Sequence, residues 1–191
     1  MSAQSQVRIT PEEYLVIERA AEFKSGYFDG HMFAMSGGSP AHSLIASNLI
    51  REFGNALKGK PCLVYTSDLR LGVKPKGLYT YPDLSIVCGE MTFVDKQQDT
   101  ATNPTLLIEV LSPSTEKYDR TFKLEQYKTI ESLREYALVS QNRALVEVYR
   151  RDAANNWAAF DFQDLDATCR FDSVSCDISM SEIYYQVNFE E

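Results

Sequence analysis

Two acids and a lysine carry the chemistry most readily read from this chain. Asp83 stands in Tyr-Pro-Asp-Leu-Ser-Ile-Val, Glu109 in Leu-Leu-Ile-Glu-Val-Leu, and Lys123 follows a short way on. Both acids lie in segments whose neighbours are apolar and read as buried strands. A carboxylate drawn toward a core is costly unless something offsets its charge. Two carboxylates on adjacent strands are one way to hold a hard, oxygen-seeking cation such as Mg2+. A lysine brought to the same place adds a positive charge. The combination suits metal-assisted hydrolysis of a phosphodiester.

The lysine belongs to a helix expected over 117–130. Asp119, Lys123 and Tyr127 recur at intervals of four and stack on one face of it. On spacing alone such a stripe is as readily the solvated face of a helix. Only the short turn Ser112-Pro113-Ser114-Thr115 separates this helix from the Glu109 strand, which sets its first turns beside that strand's carboxyl end. His42 begins another helix after Ser39-Pro40, where it can face the site or satisfy local backbone.

Composition narrows the setting. A chain of 191 residues, 44% hydrophobic and 24% charged, has the length and balance of one globular domain with a proper core. The reading is a single domain over 1–191: an N-terminal helix and hairpin to 38, a core over 39–150, and a C-terminal strand and helical extension over 151–191. No apolar run is long enough for a membrane, and the N-terminus lacks the apolar core of a secretory signal. A cytoplasmic location without membrane association is expected. Cys62, Cys88, Cys169 and Cys176 are scattered and, with only two histidines, give no zinc pattern. Cys62 and Cys88 read as buried thiols. The formal charge of −8 runs against a broadly basic nucleic-acid surface, although phosphate responds mostly to charges within about 10 Å.

The elements that must position these residues are legible. Thr10-Pro11-Glu12-Glu13 starts a helix with an N-cap, a proline in the first turn and acids near the amino end. Asp29-Gly30 marks a hairpin over 27–35. Leu44, Ile45, Leu49, Ile50, Phe53 and Leu57 recur at helical spacing over 41–57. Strands follow at 62–65 and at 69–73, the second continuing or pairing with the first. The chain breaks at Pro75-Lys76-Gly77, then strands are expected at 84–88 and 105–111, with a polar loop over 91–103 between them. Strands at 136–140, 144–150 and 157–162 come next, and a closing helical turn at 181–185. This order describes an α/β (α+β) domain with a mixed central sheet flanked by helices.

Taken together, Tyr81-Pro82-Asp83, Ile108-Glu109-Val110-Leu111-Ser112-Pro113-Ser114, and Asp119-Arg120 with Lys123 and Tyr127 resemble the bacterial Uma-two family of restriction endonucleases. That family belongs to the PD-(D/E)XK nuclease superfamily. The resemblance runs from about Pro11 to Tyr185. Asp29-Gly30 through Met35-Ser36-Gly37 and His42 match the family's amino-terminal part. Glu135-Tyr136 and Val146-Glu147-Val148-Tyr149 match its later strands. The resemblance implies a restriction-endonuclease-like fold and a DNA-cutting enzyme that uses Mg2+ or Mn2+. Asp83, Glu109 and the Val110 carbonyl would be metal ligands. Where the superfamily often carries lysine two residues after the acid, Leu111 stands, so Lys123 takes that role. Asp119 or Gln126 would fix its ammonium, and Tyr127 would support it from behind or serve the core. Gly26 departs from the family, whose members commonly carry Glu there.

Metal-dependent DNA cleavage is therefore the leading expectation, with DNA as partner and a homodimer as the simplest way to cut both strands. Two other readings stand beside it: a decayed nuclease fold acting as a binding or assembly module, and a hydrolase of a small phosphorylated ligand. The C-terminal aromatics, among them Trp157, Phe160 and Tyr185, could line a dimer interface but are more simply core.

Overall fold

The structure is a computed structural model and describes residues 8–35, 37–73 and 77–189. The extreme N-terminus, Ser36 and the Pro75-Lys76 part of the expected break lie outside the described residues.

Helix α1 (Pro11–Ala20) begins as its first residues dictate. The Thr10 hydroxyl accepts from the Glu13 N–H at 3.2 Å, and the Glu13 carboxylate accepts from the Thr10 N–H at 2.7 Å. This reciprocal cap satisfies two donors that a helix start would otherwise leave unpaired. Strands β1 (Ser25–Phe28) and β2 (His31–Ala34) form the expected hairpin. Its turn needs left-handed backbone at both central residues, which Asp29 (φ 46°) and Gly30 (φ 86°) supply. Helix α2 (Pro40–Ala56) is capped by the Ser39 side chain and buries Ile45, Leu49 and Phe53 completely.

Strands β3 (Cys62–Thr66) and β4 (Arg70–Val73) part company, contrary to the sequence expectation. β3 pairs with β6 (Leu84–Cys88), whereas β4 joins β5 (Leu78–Thr80) and the two-residue β7 (Thr100–Ala101). The polar stretch before β8 (Leu106–Leu111) thus supplies a short strand that composition concealed. Beyond β8 come α3 (Glu116–Tyr118), a π-helical turn (Asp119–Lys123) and α4 (Leu124–Tyr127), where one continuous α-helix is expected from sequence. Strands β9 (Glu135–Ser140), β10 (Leu145–Arg151) and β11 (Trp157–Gln163) form an antiparallel meander. A hairpin of β12 (Thr168–Phe171) and β13 (Cys176–Ser179), not foreseen in the sequence, precedes α5 (Met180–Ile183).

Two larger sheets result. One has the order β2-β1-β5-β4-β7, the other β11-β10-β9-β8-β6-β3. The second is mixed, because β8 and β9 run parallel while its other neighbours are antiparallel. A parallel pair needs a crossover, and the segment containing α3 and α4 is that crossover. Side chains along β8 alternate between faces. Leu106, Ile108 and Val110 join the core under α2, while Leu107 and Leu111 pack with Leu124, Tyr127 and Tyr136. Glu109 falls by parity on the second face, beneath the crossover helices.

Cys62 and Cys88 are directly opposite on β3 and β6 and form a disulfide. This corrects the expectation of free thiols there: each cysteine was read on its own strand, and only pairing of the strands brings them together. Cys169 and Cys176 are free and buried. Of the C-terminal aromatics, Phe171 and Tyr184 are core residues, Phe162 and Phe189 pack against that core, and Trp157 against the other, whereas Phe160 and Tyr185 are exposed, contrary to the core reading.

Candidate active site

Asp83 immediately precedes β6. In the register of β6 and β8, Leu84 faces Ile108, and continuing it by one residue sets Asp83 opposite Glu109. The backbone N–H of Val110 donates to Asp83 Oδ2 at 2.8 Å. His42 Nε2 lies 3.2 Å from the same oxygen. His42 therefore faces the site rather than serving only the start of α2. The segment leading to Asp83 is pinned through Tyr81, whose hydroxyl donates to Glu18 at 2.7 Å and accepts from Arg70 at 3.1 Å. Burial pushes that phenol up to about 12, so it stays a neutral donor.

Glu109 is almost wholly buried. Its Oε1 accepts from Lys123 Nζ and from the Tyr127 hydroxyl, each at 2.9 Å. The ammonium also lies 2.9 Å from Asp119 Oδ1. Among the described residues that oxygen nonetheless has no aligned hydrogen bond, so the contact with Asp119 is one of charge, while the directed bond goes to Glu109. The π turn explains how Lys123 and Tyr127 both reach the Glu109 carboxylate with Asp119 beside the ammonium. Residues four apart drift by about 40° round an α-helix, which would carry Tyr127 well away from Asp119. A π turn winds less per residue, and it reverses that drift between Asp119 and Lys123. π turns inside helices are frequent at functional sites.

The charges interlock. Burial raises the Glu109 carboxyl to about 8, against the lowering effect of Lys123 and with further upward pressure from Asp119 and Asp83. Burial alone would lower the Lys123 ammonium, but Glu109 and Asp119 more than offset it and hold it protonated. The hydrogen bond to Asp83 leads the causes that raise His42 above its ordinary value, outweighing its desolvation. Desolvation holds the Tyr127 and Tyr136 phenols far above their ordinary value. Three carboxyl groups thus share a small volume with one lysine and one histidine, and a surplus of negative charge that a cation would relieve arises once Glu109 gives up its proton.

Asp83, Glu109, Val110, Asp119, Lys123 and His42 all border one open cavity of about 810 Å3. Gln126 does not, and among the described residues its buried side-chain oxygen has no hydrogen-bond partner. Of the two residues expected to fix the ammonium, Asp119 is the one beside it. Arg120 turns away to Glu116 and Glu147. Gln141, just past β9, was not foreseen: it is nearly buried, lines the cavity, and accepts from the Ser39 hydroxyl at 2.5 Å. Its only trace in the sequence is a polar residue closing an apolar strand. Among the described residues, no group of three or more His, Cys, Asp or Glu side chains is arranged to hold a metal ion. An ion here would take oxygen from Asp83 and Glu109 and complete its shell with backbone and water, as Mg2+ commonly does. The donor set is hard oxygen throughout and fits such an ion.

Comparison with known proteins agrees in fold and family. The Uma2 family model, described as "Putative restriction endonuclease", matches residues 11–180. The uncharacterized protein slr1290 of Synechocystis sp. is 35% identical over 182 residues, covering 95% of this chain and 94% of the relative. The uncharacterized protein sll1609 of the same organism is 32% identical over 163 residues, covering 85% and 92%. A solved structure described as a putative nuclease belonging to DUF820, from Anabaena variabilis, superposes with a TM-score of 0.76. It is 21% identical and covers 94% of this chain and 99% of its own; at that identity the likeness concerns the fold.

Proposed function

The chain belongs to the Uma2 family, and from that premise we propose that it is an endodeoxyribonuclease of the PD-(D/E)XK type, hydrolysing phosphodiester bonds with a divalent metal ion, Mg2+ or Mn2+. The observation that carries the reading is the meeting of Asp83, Glu109 and Lys123. They come from three separate elements to the wall of one cavity, with the lysine 2.9 Å from Glu109.

Asp83 and Glu109 would hold the ion, with the Val110 carbonyl as a further ligand. Bound there, a divalent cation polarises a phosphoryl oxygen and lowers the pKa of a coordinated water. Lys123 would orient the attacking water and offset the charge that develops on the phosphoryl oxygens. Asp119 keeps its ammonium charged and in place. Tyr127, held neutral, fixes the rotamer of Glu109 by donating to the oxygen that Lys123 also contacts. His42, on Asp83, is positioned to steady that carboxylate in the absence of an ion. Leu111, two residues after Glu109, is a buried core residue, and the lysine comes instead from the crossover segment. Two copies related by a two-fold axis would serve to cut both strands of a duplex.

A plasmid-nicking assay in Mg2+ or Mn2+ tests the reading. Wild type should nick, and Asp83→Ala should lose at least a hundredfold in rate with its circular dichroism unchanged. A folded wild type that nicks nothing in either metal would refute it. Turnover of small phosphodiesters without DNA cleavage would favour a small-ligand hydrolase instead.

A further inference from the structure

Beside the cavity containing Asp83, Glu109 and Lys123 lies a smaller chamber of about 270 Å3. Met35, Ser114, Thr115 and Lys123 border both spaces. The chamber is walled by two aromatic rings, Phe33 on β2 and Tyr118 at the end of α3, set edge to face with centroids 6.3 Å apart. Phe122 stacks on Tyr118 at 4.9 Å, and Phe28 meets Phe122 edge-on at 4.7 Å. The wall is thus a supported row of rings. Thr80, nearly fully buried, also lines the chamber and makes no side-chain hydrogen bond among the described residues.

Gly26 is what lets this wall stand. It pairs with Phe33 across the hairpin, and a Cβ at Gly26 would overlap the Phe33 ring. Glycine allows the ring to lie over the strand backbone, where it forms one side of the chamber.

Aromatic rings meeting edge to face, a few hydroxyls that both donate and accept, and a position beside the Asp83, Glu109 and Lys123 cavity match one kind of group. We propose that the chamber is a nucleobase subsite, taking a single unpaired base from the nucleotide flanking the scissile phosphate. This rests on the nuclease reading above and narrows its substrate to single-stranded or locally unpaired DNA. The chamber suits one ring system and not a base pair, so a duplex would have to release the base first. Stacking also suits a chain of formal charge −8, because it gains affinity without the many lysine and arginine contacts that duplex binding relies on.

Fluorescence anisotropy tests this with Asp83→Asn protein and labelled single-stranded oligodeoxynucleotides carrying one abasic residue, walked along the strand. Removal of the base at one position should weaken binding roughly fivefold or more. That sensitivity should vanish in Phe33→Leu and in Ala34→Trp, the latter filling the chamber from an exposed strand position. Equal binding at every abasic position would overturn the proposal. Deoxynucleosides, which carry no phosphate, give an arm independent of catalysis. Saturation transfer from protein to their base protons should be seen and should be abolished by Ala34→Trp; its absence in wild type also counts against the subsite. Base-sensitive binding by a wild type that cuts no DNA would keep the subsite and refute the nuclease, and cutting without base sensitivity would do the reverse.

Discussion

Lys123→Met removes the one cation shared by two buried acids. The side chains of Lys123, Glu109 and Asp119 are only 9%, 5% and 2% exposed, so water cannot replace the lost contacts. Removing one partner of a buried ion pair costs about 3–5 kcal/mol. The cost depends on pH because Glu109 can take up a proton instead. Its folded-state value is raised to about 8, above an unfolded value of about 4.3. A raised value means that the folded state binds the proton more tightly. The stability this group contributes is therefore present at low pH and lost as pH rises through about 8. Without Lys123 the folded value moves higher still, and the loss continues above pH 8 at up to about 1.4 kcal/mol per pH unit. Urea unfolding followed by circular dichroism should give a loss of about 1–2 kcal/mol at pH 6, where the charged contact to Asp119 is the main one lost. At pH 9 it should give about 3–5 kcal/mol. Lys123→Met combined with Glu109→Gln should recover most of the pH 9 loss, since the neutral amide needs no cation. A loss below about 1 kcal/mol at both pH values, or an equal loss at both, would refute the buried triad as the source.

Three further outcomes are expected. Because an ion on Glu109 must displace the proton that burial retains, apparent Mn2+ affinity should rise with pH up to about 8 and release protons on binding; calorimetry in buffers of different ionisation enthalpy reads both, and a flat pH dependence would contradict it. Gly26→Glu, which brings in the acid that the family commonly carries, should fail to raise activity and should destabilise by about 1–3 kcal/mol, because the new Cβ meets the Phe33 ring; thermal unfolding and the nicking assay check both halves. Reducing the Cys62–Cys88 disulfide opens a loop spanned by a sequence separation of 26 and should lower stability by about 2–4 kcal/mol, seen as a drop in Tm with reductant that Cys62→Ser reproduces.

Much of the local structure was legible because it depends on neighbours in sequence. Thr10 through Glu13 determine a capped helix, Asp29-Gly30 a tight hairpin, and the apolar spacing from Leu44 to Leu57 a buried helix, each from backbone preferences acting over a few residues. The strands around Asp83 and Glu109 were visible for the same reason, and the two acids were conspicuous because charge inside an apolar run must be compensated. Pairing was not legible. β3 and β4 adjoin in sequence yet enter different sheets, and Cys62 meets Cys88 only because β3 pairs with β6.

By itself, then, the sequence determined the types of the main elements and the family, and it singled out three residues as candidates for chemistry, since all of these follow from residue type and short-range spacing. Only the tertiary structure decided what those residues meet: His42 on Asp83, Gln141 on the cavity wall, a π turn that brings Lys123 and Tyr127 to Glu109 with Asp119 beside the ammonium, and a Phe33 ring over Gly26. Each of these is a contact between segments distant in the chain or a shift of helix phase by part of a turn. Residue spacing carries no information about either until the sheets and helices have packed.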